Sequence, residues 1–104
     1  TLFCFVSDHG EMLGDHDCFR KSVPYEGSAR VPLLLHGPGV GRGVVSDRLT
    51  ELRDVMPTLL DGAGLPVPEG IDGVSAMAQA RGEAAPFGRV IHGEHPDFGQ
   101  TIHW

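Results

Sequence analysis

The chain has 104 residues, of which 40% are hydrophobic and 21% charged, an ordinary composition for one small globular domain. The net charge is −6, and Lys21 is the only lysine among eight basic residues, which argues against a basic surface that binds nucleic acid. No apolar run is long enough to span a bilayer. The composition still allows a small anionic substrate, because one metal ion and one lysine can create a local positive site.

The first stretch of interest is an apolar run that ends abruptly in polar residues. Residues 1–6 (TLFCFV) predict a buried parallel strand, and Asp8 and His9 follow directly after it. In open α/β sheets, ligands bind beyond the carboxyl ends of the strands. A carboxylate beside an imidazole is half of a divalent-metal site, and Gly10 permits the turn that lets both side chains face one ion. The alternative is that Asp8 caps a turn and His9 is merely exposed.

A loop rich in glycine and acidic residues follows, over residues 10–24. We expect a short helical turn around Glu11–Leu13. Phe19 and Tyr25 are expected to anchor the loop by packing, with Tyr25 as a simple packing aromatic. Cys4 and Cys18 lack the spacing of a redox or zinc pair, so the cysteines leave the cellular compartment open.

The rest of the chain alternates predicted strands and helices with turns rich in glycine and proline. Pro57 lies inside an apolar pattern with helical spacing, so we expect a helix with Pro57 in its first turn that ends at Gly62 or Gly64. A second short helix is predicted at 74–82. The predicted strands, apart from the first, are 31–36, 44–46, 89–92 and 100–104.

Three motifs together resemble the sulfatase family of the alkaline phosphatase superfamily. They are the run SDHGEMLGDH at residues 7–16, Lys21 thirteen residues after Asp8, and the run YEGSARVP at residues 25–32. The resemblance is specific through residue 39 and weaker to about residue 75. It is closest to the branch with Asp-His, which includes iduronate- and choline-type sulfatases and phosphonate monoester hydrolases.

The resemblance implies an α/β fold with a mainly parallel sheet flanked by helices, alkaline-phosphatase-like. It implies that Asp8 and His9 bind the catalytic divalent cation and that Lys21 contacts the oxygens of the sulfate or phosphoryl group. His16 matches a histidine common in this branch and becomes a candidate catalytic residue, with a structural hydrogen bond as the alternative. Carboxylate ligands favour calcium or magnesium and the imidazole admits manganese; among these we favour calcium.

The family's formylglycine motif, Cys/Ser-x-Pro-x-Arg, does not occur in the chain. We therefore expect the formylglycine nucleophile and further metal carboxylates upstream of Thr1, and residues 1–104 to be a single partial domain truncated at both ends. Such a fragment is expected to be inactive and to self-associate through uncovered apolar surface. We expect it to come from a sulfate-ester hydrolase with a small anionic ester substrate. The alternatives are a phosphonate or phosphate ester hydrolase of the same superfamily and a non-catalytic interaction domain.

Overall fold

The computed structural model of the chain describes residues 1–84, 89–95 and 100–103. Short strands and helices alternate along it, separated by long turns. The strands are β1 (Phe3–Val6), β2 (Leu33–His36), β3 (His92–His95) and β4 (Gln100–His103). The α-helices are α1 (Glu26–Ala29), α2 (Val55–Gly62) and α3 (Met77–Ala80), and single 3-10 turns lie at Asp15–Asp17 and Leu52–Asp54.

The strands of the described chain form two separate pairs, β1 with β2 and β3 with β4. The β3–β4 pair is antiparallel, with His92 opposite His103 and His95 opposite Gln100. The backbone beyond the end of β1 meets the backbone before β2, since the amide of Gly10 donates to the carbonyl of Ser28 over 2.8 Å. That contact fits antiparallel neighbours, so the mainly parallel sheet expected from the sequence is not confirmed by these pairs.

The chain divides into two compact units, each described here by itself. The first unit comprises Thr1–Cys4 and Leu35–Arg89, and the second comprises Phe5–Leu34 and Val90–Trp104. All four candidate site residues of the sequence analysis belong to the second unit.

The first unit packs α2 and α3 around a small core with Met77 and Pro57 at its centre. Asp54 begins this region: its carboxylate accepts the amide of Glu51, and the Glu51 side chain accepts the amide of Asp54, which is a reciprocal capping box. The hydroxyl of buried Thr58 donates to the Asp54 carbonyl over 2.6 Å and accepts the Ala76 amide over 2.8 Å, which joins α2 to the start of α3.

Several predicted elements are confirmed. Strands β1 and β2 lie within the predicted strand segments, and α2 has Pro57 as its third residue and ends at Gly62. Proline is tolerated there because the amides of the first turn have no partner within the helix. The final predicted strand corresponds to β4, and Trp104 lies outside the described residues.

Other expectations were wrong. The turn near Glu11–Leu13 lies instead at Asp15–Asp17, and residues 44–46 form no strand. The predicted helix 74–82 shrinks to α3, and β3 begins at the last residue of the predicted strand 89–92. Strand β1 is not buried, because Phe3 and Phe5 are both more than half exposed.

Among the described residues, none of the helices has both the length and the apolar character that a transmembrane span requires.

Candidate functional site

Asp8 and His9 come directly after β1, where the chain leaves the strand. The Oδ2 atom of Asp8 lies 3.6 Å from the Nε2 atom of His9, and the Asp8 side chain is 83% exposed. The backbone turns between them, held by the Ser7 hydroxyl, which donates to the His9 carbonyl over 2.7 Å. The two side chains therefore converge on one point in solvent, which a regular extended strand would prevent.

The other ring nitrogen of His9 determines what Nε2 can do. Nδ1 lies 2.8 Å from the carbonyl oxygen of Gly10. Because a carbonyl can only accept, Nδ1 must carry a proton and donate it. In the neutral ring this leaves a lone pair on Nε2, the atom that faces the Asp8 carboxylate. A histidine whose second nitrogen donates to a backbone carbonyl is the usual arrangement for a metal ligand.

Backbone contacts close the loop that follows into a compact hairpin. The amide of Met12 donates to the Arg20 carbonyl and that of Gly14 to the Cys18 carbonyl, each over 2.9 Å. The Glu11 carboxylate accepts the Arg20 amide from across the loop. The Met12 side chain is 2% exposed and forms the apolar anchor. The loop is thus tied down at its base while its tip projects outward.

The loop has an unusual backbone at its tip and at its base. Leu13, His16, Asp17 and Arg20 all have φ between 51° and 69°, the left-handed region that side chains with a Cβ atom rarely occupy. Such conformations cost on the order of 1 kcal/mol each and persist only where surrounding contacts impose them.

His16 lies at this tip and packs against Tyr25. The two rings are stacked, with centroids 4.2 Å apart and planes inclined by 16°. Tyr25, at the N-cap of α1, is 44% exposed and packs against the loop through this stacking contact. Phe19, the other expected anchor, is 74% exposed. Met12 performs the anchoring role instead.

Lys21 ends the loop, and its side chain is exposed. Within the described residues its ammonium group forms no ion pair. Its backbone is fixed, however, because the hydroxyl of Ser28 donates to the Lys21 carbonyl over 2.5 Å. The lysine therefore combines a held backbone with a charge that is free to meet an anion.

The side chains of Asp8 and His9 lie close to each other. His16 and Lys21 are connected to this pair only through the loop and α1. Across the described part of the chain, no group of three histidine, cysteine, aspartate or glutamate residues is placed to hold a metal ion. Asp8 and His9 fit two positions of a coordination sphere, since an anionic oxygen and an imidazole lone pair suit a hard or borderline divalent cation.

Glu26 and Arg30 form an ion pair beside the loop. The Nη1 atom of Arg30 lies 3.0 Å from the Oε2 atom of Glu26, across one turn of α1. The sequence analysis assigned no role to Ser28. Its 5% exposure depends on chain segments that no local pattern specifies.

Comparison with known proteins identifies the class. The sulfatase family model matches residues 1–65, more than half of the chain. An arylsulfatase of Clostridium perfringens is 48% identical over 104 residues, covering 96% of this chain. Human arylsulfatase K is 43% identical over 77 residues, covering 74%. The chain belongs to the sulfatase family.

A solved structure supports the same fold. The phosphonate monoester hydrolase of Silicibacter pomeroyi matches 86% of this chain with a TM-score of 0.78 and 39% identity. The alkaline-phosphatase-like α/β class predicted from the sequence is thereby confirmed. The chain covers 21% of the length of the C. perfringens arylsulfatase, 14% of human arylsulfatase K and 18% of the hydrolase.

Proposed function

We propose that this chain carries part of the active site of a metal-dependent hydrolase of sulfate esters. The observation that carries the proposal is the convergence of Asp8 Oδ2 and His9 Nε2 to 3.6 Å at the end of β1. Membership of the sulfatase family and identity to two arylsulfatases support the choice of substrate class.

Asp8 and His9 would hold the divalent cation, with calcium favoured over manganese or magnesium. When bound, such a cation supplies positive charge that stabilises the oxyanion of the ester in the transition state. Asp8 contributes a negative oxygen, and the hydrogen bond from His9 Nδ1 to Gly10 keeps the lone pair on Nε2. Two ligands alone bind weakly, so the remaining ligands are expected from outside the described residues.

Lys21 would bind the anionic group of the ester. Its ammonium group, which forms no ion pair with any described residue, is a compact point charge on a flexible stem, which suits the oxygens of a tetrahedral anion. His16, stacked on Tyr25 at the exposed loop tip, would face the substrate. The nucleophile, proposed to be a formylglycine, would come from outside residues 1–104, because its motif is absent from this sequence.

The proposal is tested in the protein as its natural gene encodes it. We expect D8A to remove most of the bound divalent metal, measured by mass spectrometry of the purified protein. We expect D8A and K21A each to lower kcat/KM for an aryl sulfate by roughly 10²-fold or more, the scale of losing one electrostatic contact to the transition state.

The matched control is D17N. Asp17 is an exposed carboxylate on the same loop with φ of 56°, a conformation that asparagine tolerates as well as aspartate. D17N should keep metal content and kcat/KM within about twofold of wild type. Full activity and metal content in D8A would overturn the proposed function of the Asp8–His9 pair, whereas a wild type with neither bound metal nor turnover would leave a non-catalytic interaction domain.

A second candidate reaction keeps the same site and changes the ester. The structural match to a phosphonate monoester hydrolase favours hydrolysis of phosphonate or phosphate esters. The two reactions are separated by the ratio of kcat/KM for an aryl sulfate to kcat/KM for the matching phosphonate monoester. A ratio below one would select the second candidate, while the roles of Asp8 and Lys21 would stand.

Residues 1–104 produced alone are expected to lack turnover, because the nucleophile motif is absent from them. They are also expected to self-associate, because large apolar side chains on β1 and β2 are exposed. Size-exclusion chromatography over a range of concentrations tests this. A monomer at every concentration would contradict it.

A further inference from the structure

Ser28 on α1 makes two contacts that lead toward different parts of the proposed site. Its carbonyl accepts the amide of Gly10 over 2.8 Å, and its hydroxyl donates to the carbonyl of Lys21 over 2.5 Å. The residue is buried, with 5% exposure, so its own donor and acceptor are shielded from competing water, while the bond to exposed Lys21 is partly buried.

The first contact continues to the metal-binding pair. Ser28 holds the amide side of Gly10, while the carbonyl of Gly10 receives the Nδ1 proton of His9. The carbonyl that orients the imidazole therefore belongs to a residue whose amide is itself bonded to α1. The approach is close, because a Cβ atom on Gly10 would lie 2.0 Å from the carbonyl oxygen of Gly27.

The second contact ends at the proposed anion-binding residue. The Lys21 side chain is exposed and unpaired in the described chain, so the placement of its ammonium group depends on how firmly its backbone is held. The Ser28 hydroxyl provides a direct tether to that backbone.

Helix α1 is short but braced, which allows it to serve as a reference point. The amides of Ser28 and Ala29 both donate to the Tyr25 carbonyl, over 2.9 and 2.8 Å. The ion pair of Glu26 with Arg30 spans the same turn but is exposed and contributes little to its stability.

We propose that Ser28 is a positioning residue that sets the spacing between the Asp8–His9 pair and Lys21. The proposal rests on the proposed function and goes beyond it by naming a residue that touches neither metal nor substrate. Its two contacts are separable, because the bond to Gly10 uses the backbone and the bond to Lys21 uses the side chain. Ser28→Ala therefore removes only the tether to Lys21.

The experiment measures two affinities of S28A in the protein as its natural gene encodes it. We expect the Kd for inorganic sulfate, measured by equilibrium dialysis, to rise about three- to tenfold, the scale of one net hydrogen bond. We expect the Kd for calcium to stay within twofold, because the backbone bond to Gly10 remains. An unchanged sulfate Kd, or an equal loss of both affinities, would overturn the proposal.

A double-mutant cycle with Lys21 separates positioning from general destabilisation. If Ser28 acts through Lys21, S28A lowers kcat/KM severalfold in wild type and has little further effect in K21A. A structural role would give the same loss in both backgrounds. T58V removes another buried hydroxyl, in the other unit, and should leave both affinities unchanged.

Two further comparisons complete the design. If S28A does not fold, S28C is the second variant, because it keeps the size of the side chain with a weaker donor. S28C should give an intermediate Kd for sulfate, and a wild-type Kd for S28C would overturn the proposal. The two proposals fail separately. Full activity of D8A and K21A would reject the function, whereas their loss of activity beside an unaffected S28A would reject only the role of Ser28.

Discussion

Replacement of Asp54 by alanine should be the most damaging single change in the first unit. The Asp54 side chain is 1% exposed, and its carboxylate accepts the amides of Glu51 and Val74, each over 2.8 Å. It also forms an ion pair with Arg89, which in turn bonds Glu51. The D54A change leaves two amides and one guanidinium arm without their buried acceptor.

The magnitude follows from these partners. Breaking a buried ion pair by removing one member costs about 3 to 5 kcal/mol. The assay is hydrogen–deuterium exchange of peptides that cover α2, because it reports local opening in a protein of any size. A loss of that size should speed exchange of the protected amides by roughly 10²-fold or more.

The control is D47A, which removes an exposed carboxylate from the same unit and should change the opening free energy by no more than about 0.5 kcal/mol. D54N should lie between wild type and D54A, because its amide oxygen can still accept the Val74 amide. Exchange rates in D54A within a few-fold of wild type would refute the reasoning.

The same carboxylate predicts a pH dependence. Burial acts to raise the pKa of Asp54, but hydrogen bonds from the amides of Glu51 and Val74 and the pairing with Arg89 outweigh it and hold the pKa below its ordinary value of 3.8. Because the folded pKa is the lower one, the stabilisation is complete above the unfolded pKa of about 3.9 and is lost as pH falls through the folded pKa. The difference in opening free energy between wild type and D54N should therefore be constant from about pH 5 to 7 and shrink below about pH 4.

Three smaller predictions concern the second unit. G10A should weaken calcium binding about tenfold or more, measured by calorimetry, because its Cβ would lie 2.0 Å from the Gly27 carbonyl oxygen and must displace the backbone beside the proposed metal ligands. An affinity within twofold of wild type would contradict this. Y25A should lower kcat/KM about two- to tenfold, because it removes the ring stacked on His16, while Y25F should retain the wild-type value. Equal effects of the two substitutions would exclude stacking as the cause. R30A breaks only the exposed ion pair between Glu26 and the C-cap residue of α1, so exchange of the α1 amides should rise less than about threefold. A larger rise would show that the pair stabilises the helix more than expected.

Local sequence patterns predicted the parts of the fold that depend on neighbouring residues. The apolar run before Asp8 forms a strand, and Pro57 lies in the first turn of α2. The pattern failed at residues 44–46, where β-branched residues suggested a strand but Val45 is 89% exposed and no partner strand pairs with it in the described chain. Strand propensity requires a neighbouring strand, and sequence spacing does not say whether one is present.

The candidate site also combines features that local sequence predicted with features that it did not. The adjacency of Asp8 and His9 and the single lysine were visible in the sequence. The expected turn at Gly10 was wrong in place, because the chain bends at Asp8 and Gly10 is not among the glycines with positive φ. Phe19 was misjudged, because an aromatic residue in a loop can either pack inward or remain at the surface, and residue spacing does not specify which.

By itself, the sequence determined the family, the strand that leads to Asp8 and His9, and the chemical types available at the site. Only the tertiary structure decided which atoms meet: the Gly10 carbonyl at His9 Nδ1, the Ser28 hydroxyl at Lys21, and Arg89 at Asp54. The physical reason is separation along the chain. Helix and strand preferences act over a few residues, whereas Arg89 meets Asp54 from 35 positions away, and such contacts exist only once folding has closed the intervening loops.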